Sequence, residues 1–101
     1  MTTLSTHVLD QVLGVPASGL VVLLDGAVVT ATDDDGRIRF EGQIAPGPHT
    51  LDYAIADWFA ARDRDAFFGA VRLTFEVEPG RPHLHVALLL GPYSYTAYRG
   101  S

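Results

Sequence analysis

The 101-residue chain contains no cysteine and no lysine. Without cysteine there is no disulfide, no thiolate nucleophile and no sulfur-ligated zinc. Without lysine the side-chain cations are seven arginines, scattered along the chain, against twelve acidic residues, for a net charge of −5. Phosphate backbones are met by clustered cations, so this balance argues against a nucleic-acid partner. Long apolar runs are missing too. A stretch such as Val86–Leu90 falls far short of the roughly 20 residues that span a bilayer, so no membrane partner is expected. The opening MTTLSTHVLD has neither a basic start nor an apolar stretch of secretory length. No signal peptide is expected, and the cytoplasm is the default compartment.

What is present describes a globular chain, with 48% hydrophobic and 19% charged residues. The length predicts a single domain over residues 1–101, with one core between two layers and little material for a deep cleft of its own. Turn signals fall at close intervals. Asp25-Gly26 between LVVLL and AVVTAT predicts a tight hairpin. DDDG at 33–36, APGP at 45–48, Pro79-Gly80 and Gly91-Pro92 predict further turns.

The segments between are rich in Val, Leu, Thr, Phe and Tyr, and several alternate. In VRLTFEVE, Val71, Leu73, Phe75 and Val77 point one way and Arg72, Thr74, Glu76 and Glu78 the other, the pattern of a strand with one wet face. Eight strands are predicted, near 4–10, 19–25, 27–32, 37–42, 48–56, 69–78, 83–91 and 93–99. ADWFAARDRDAF, 56–67, lacks β-branched residues and internal Gly or Pro, and predicts one short helix capped by Asp57. The fold class is therefore all-β, a two-sheet sandwich with one short helix.

Three polar features stand out. HLHVALLL puts His83, His85, Ala87 and Leu89 on one strand face and the core residues Leu84, Val86, Leu88 and Leu90 on the other. A surface strip that mixes histidine with apolar residues suggests a subunit contact or a pocket. His7 shares a face with Ser5 and Leu9. The tail YSYTAYRGS alternates, with Tyr93, Tyr95, Ala97 and Arg99 on one side and Ser94, Thr96, Tyr98 and Gly100 on the other, as a strand paired into a sheet would. Taken singly, each has an ordinary reading: a hydrogen-bonded strand histidine, a solvated arginine, an amphipathic tyrosine. His7 and His85 are too far apart in sequence to form a metal motif, no G-x-S-x-G marks a serine nucleophile, and DDDG reads as a turn rather than a catalytic carboxylate pair.

In combination, STHVLD at 5–10, DGRI at 35–38, HLHVALLLGP at 83–92 and the terminal YRGS resemble 5-hydroxyisourate hydrolases, the transthyretin-related enzymes of urate breakdown. GVPASGL at 14–20 and DWFAAR at 57–62 extend the resemblance over nearly the whole chain. The resemblance implies a transthyretin-like eight-stranded sandwich and a homotetramer, a dimer of dimers with active sites in a channel between dimers. It implies a cyclic amide hydrolase that opens 5-hydroxyisourate to 2-oxo-4-hydroxy-4-carboxy-5-ureidoimidazoline in purine degradation, with no cofactor and no metal. His7, Arg37 and His85 match the family's catalytic positions; Tyr98, Arg99, Gly100 and Ser101 match its substrate-binding terminal tetrapeptide. The alternative is a non-catalytic transthyretin-like carrier of a small ligand. The chain departs from the family at Ala87, where proline is usual, at Gly91, where serine is usual, and across residues 54–70, but no matched site residue is lost.

Overall fold

The computed structural model describes residues 1–100. Nine strands and one helix run in the order β1 (Thr3–Asp10), β2 (Val15–Pro16), β3 (Val21–Leu24), β4 (Val28–Ala31), β5 (Arg37–Arg39), β6 (Gly47–Tyr53), α1 (Ile55–Ala60), β7 (Val71–Val77), β8 (His83–Leu90) and β9 (Tyr95–Gly100), among the described residues. Eight of them answer to the eight expected strands; β2 is a two-residue addition. One sheet has the order β2-β1-β8-β9, with β5 also paired to β1; the other has the order β4-β3-β6-β7. The ladders are antiparallel except β1–β8, which runs parallel from Thr3 opposite His83 to Asp10 opposite Leu90.

The alternation in the sequence sets which faces close on each other. Leu4 and Val8 of β1 and Leu84, Val86, Leu88 and Leu90 of β8 meet Val22, Leu24, Leu51, Tyr53, Val71 and Val77 of the second sheet. Two buried hydroxyls bridge the layers. Thr6 Oγ1 donates to the Val86 carbonyl at 2.7 Å, and the Tyr53 hydroxyl lies 2.8 Å from Thr6 Oγ1. Burial pushes the Tyr53 phenol up to about 12, so it stays a neutral partner.

The helix is shorter than its composition predicts. It spans Ile55–Ala60, and Ala54 rather than Asp57 stands at its N-cap, without a side-chain bond. Asp57 lies in the first turn, where its charge still suits the helix dipole. The chain then leaves the helical path at Asp63, with φ of 55°. That exit is dictated by tertiary structure, because it carries Arg64 onto the buried Asp10 carboxylate at 2.5 Å. Asp10 also accepts the Val12 and Leu13 backbone N–H groups. Burial alone would raise the Asp10 carboxyl, but Arg64 and the two N–H donors outweigh it and hold it below the usual carboxylate range.

Candidate active site

The outer face of the five-stranded sheet collects most of the residues singled out by sequence. His7 of β1 is the Cα partner of Arg37 on β5 and of Ala87 on β8. His85 is the partner of Ser5 on β1 and of Gly100 on β9, and Ala87 that of Tyr98. Paired residues share a face, so His7, Arg37, His85, Tyr98 and Gly100 all lie on one side of four adjacent strands. In the protomer this face is shallow. His7 and His85 are half-buried, Arg37, Tyr98 and His83 are exposed, and Ala87 is buried. Ser5, Asp33, Arg37, Arg39 and His85 line a depression of about 240 Å³.

Each group is held by local chemistry. The acidic turn before Arg37 closes on itself: Asp33 Oδ1 accepts the N–H groups of Asp35 and Arg37, both at 2.9 Å. Gly36 sits in that turn at φ 74°, and a Cβ there would lie 2.4 Å from the Val8 carbonyl oxygen, so the turn can lie against β1 only with glycine. The same turn presents the Asp35 carbonyl to His7 Nε2 at 2.9 Å. A carbonyl only accepts, so His7 Nε2 carries a proton directed at it.

His85 is fixed from two sides. Its Nδ1 lies 2.7 Å from Ser5 Oγ. Its ring lies against the backbone of Gly100, where a Cβ would approach His85 Cδ2 to 2.5 Å. Burial, then the nearby Arg37, His7 and His83, lower its pKa below the ordinary imidazole value. The neutral ring is the form this site favours.

The tail answers the sequence pattern. β9 pairs with β8 over Tyr95–Gly100, which ties the last described residues into the sheet. Tyr98 and Gly100 face the histidines. Arg99 pairs with Val86 and therefore faces the other way. Its side chain lines a separate groove of about 210 Å³ at the open edge of the sandwich, with Phe75, Glu76 and Ala97. Only the backbone at position 99 adjoins the histidine face. Ser101 lies outside the described residues.

Sequence reasoning gave no role to Ser5, Thr3 or His83. Alternation did place Ser5 beside His7 and His83 beside His85; that β1 lies parallel to β8 and brings the two pairs together is a tertiary fact.

A sequence profile of the HIUase/Transthyretin family matches residues 4–100. The chain belongs to that family. A 5-hydroxyisourate hydrolase of Caulobacter vibrioides is 38% identical, with both chains covered in full. The solved structure of the Klebsiella pneumoniae 5-hydroxyisourate hydrolase superposes with a TM-score of 0.91 at 33% identity, covering all of both chains. Sea bream transthyretin, solved with thyroxine, superposes at 0.86 with 26% identity over 96% of this chain and 93% of that one. The fold is thus the transthyretin-like sandwich that the family resemblance implies. The matched family takes in both 5-hydroxyisourate hydrolases and transthyretins.

Proposed function

We propose that this chain is a 5-hydroxyisourate hydrolase that acts in urate degradation. The observation that carries the reading is the convergence of His7, Arg37 and His85 on one sheet face. Both imidazoles are hydrogen-bonded to neighbours, and the pKa of His85 is lowered, which favours its neutral form. Hydrolysis of a cyclic amide needs a base for water, a cationic or hydrogen-bonding group for the oxyanion, and an acid for the leaving nitrogen. An unprotonated imidazole supplies the first, the proton it gains supplies the third, and the planar guanidinium of Arg37 supplies the second. Water adds to the ring carbonyl and its proton passes to an imidazole. The acyl–nitrogen bond then breaks, and the departing nitrogen receives a proton. Tyr98 and the backbone of Arg99 and Gly100 bound the planar substrate. No step calls for a metal or cofactor.

The shallow depression cannot enclose a substrate alone. We assign its closure to a homotetramer, a dimer of dimers, in which the histidine faces of two protomers meet across a channel. A carrier of a small aromatic ligand is the rival reading, and the thyroxine complex of the sea bream relative gives it substance. A polar histidine–arginine face suits a small carbonyl-rich ring better than an apolar hormone.

The test is to generate 5-hydroxyisourate with urate oxidase and follow the decay of its ultraviolet absorbance. Acceleration over spontaneous decay is expected; an unchanged decay rate removes the hydrolase reading. Light scattering is expected to give a tetramer, and a monomer would remove the channel.

A further inference from the structure

His85 is the end of a hydrogen-bonded chain that runs along the sheet face to solvent. Ser5 Oγ lies 2.7 Å from His85 Nδ1 and 3.0 Å from His83 Nε2. His83 Nδ1 lies 2.6 Å from Thr3 Oγ1, which also reaches the Pro82 carbonyl at 3.2 Å. Hydroxyls and imidazoles alternate without a gap, and every link joins a group able both to donate and to accept. His85, Ser5 and Thr3 are half-buried, and His83, between Ser5 and Thr3, is exposed.

We infer that Thr3, His83 and Ser5 form a proton relay that lets His85 act as base and then as acid while remaining neutral. This rests on the hydrolase reading above. In the starting polarity the Thr3 hydroxyl points to the Pro82 carbonyl, and His83 Nδ1–H donates to Thr3. The Ser5 hydroxyl donates to His83 Nε2, and His85 Nδ1–H donates to Ser5. His85 Nε2 is then an open lone pair.

When the attacking water gives a proton to Nε2, the Nδ1 proton moves to Ser5 and the Ser5 proton to His83 Nε2. The His83 Nδ1 proton moves to Thr3, whose own proton breaks its hydrogen bond to the Pro82 carbonyl and passes to bulk water. His85 is again neutral, now with its proton on Nε2 facing the substrate. Giving that proton to the departing ring nitrogen draws one proton back from solvent through the same links. One proton leaves and one returns, so the chain is unchanged after a turnover.

The surroundings give the relay a purpose. The charged and titratable groups around His85 are His7 on β1, Arg37 on β5, His83 on β8 and Tyr98 on β9, with Asp33 and Arg39 on the rim of the depression. Burial and the Arg37 charge disfavour an imidazolium at this position. A base that holds a positive charge poorly works best when it can pass its proton on. Ser5 and His83 are positioning residues, since they act on the reaction through His85.

The experiment uses the intact protein and two variants. Ser5→Ala is expected to lower kcat about 10- to 100-fold, the size typical when a supporting hydrogen-bond partner is lost, with KM little changed. Ser5→Thr, which keeps the hydroxyl, is expected to restore most of it. The ring nitrogens of His85 in ¹⁵N-labelled protein are expected to report a single tautomer that becomes mixed in Ser5→Ala. Rates in mixed H₂O and D₂O are expected to curve with deuterium content, and to lose that curvature in His83→Gln, whose amide cannot pass a proton. Wild-type kcat and an unmixed tautomer in Ser5→Ala would overturn the relay. If the protein itself does not hydrolyse 5-hydroxyisourate, the hydrolase reading falls separately. The ¹⁵N spectra then still decide whether Ser5 sets the His85 tautomer.

Discussion

His7 and Arg37 face one another across the antiparallel β1–β5 ladder, and the turn that delivers Arg37 also binds His7 through the Asp35 carbonyl. One short acidic turn thus sets both the cation and the orientation of the imidazole beside it. Replacing either side chain by alanine is expected to lower kcat by a factor of about 10² to 10⁴, as loss of a proton-transfer or oxyanion group does. Arg37→Lys is expected to recover little, because a point charge does not reproduce the planar fork. Absorbance assays on purified variants check this, and full activity in His7→Ala and Arg37→Ala would remove the site assignment.

The pH dependence follows from His85. Its pKa lies below the ordinary imidazole value through burial first and the neighbouring Arg37, His7 and His83 next. A base is useful only when unprotonated. Activity is therefore expected to hold as pH falls past about 6.5 and to drop only at the lower folded value. Arg37→Ala removes one of the depressing charges, and the acid limb of its residual activity is expected to move up in pH. The profile of kcat/KM against pH measures both.

Gly100 tests the contact between the tail and the site. Alanine there would place its Cβ 2.5 Å from His85 Cδ2, and the ring must turn away, which strains its bond to Ser5. Gly100→Ala is expected to cost activity about 10- to 100-fold with an almost unchanged Tm, since the position lies near the chain end on an edge strand. A combined kinetic and thermal-melt measurement separates this from simple unfolding.

Stability depends on a different pair. Asp10 is fully buried and meets Arg64 across the fold. Arg64→Ala leaves that carboxylate with only backbone donors, and a loss of about 3 kcal/mol is expected in urea unfolding at neutral pH. Because the folded Asp10 pKa is depressed, its contribution is present above the unfolded carboxylate value. It is lost as pH falls through the lower folded one. The gap between wild type and Arg64→Ala is therefore expected to narrow in strongly acidic buffer.

The Asp25–His49 pair gives the opposite sign for its histidine. His49 donates to Asp25 at 2.6 Å and to the Ala45 carbonyl at 2.7 Å, and Asp25 foremost raises its pKa. A raised histidine stabilises fully below its unfolded pKa and loses that contribution as pH rises through the folded value. His49→Gln is expected to cost more stability at pH 6 than at pH 9, read from urea midpoints.

Alternation and turn chemistry determined much of this protein directly. Period-two patterns in STHVLD, VRLTFEVE and HLHVALLL placed strands and faces, since a one-residue slip would turn a core face to water. Asp25 and Gly26 adopt the positive φ values their turn requires. The matched residues His7, Arg37, His85, Tyr98 and Gly100 were all legible through their motifs.

Other features only the tertiary structure decided. Local composition favoured a helix to residue 67, but docking of Arg64 on Asp10 ended it at Ala60. Alternation assigned Arg99 a face without revealing that this face opens on the sandwich edge. The hydroxyl–imidazole chain depends on β1 and β8 lying parallel in one register, with Ser5 beside His85. Residues some 80 positions apart carry no local signal of their pairing. Sequence periodicity states which way a side chain points, and strand order alone states what it meets.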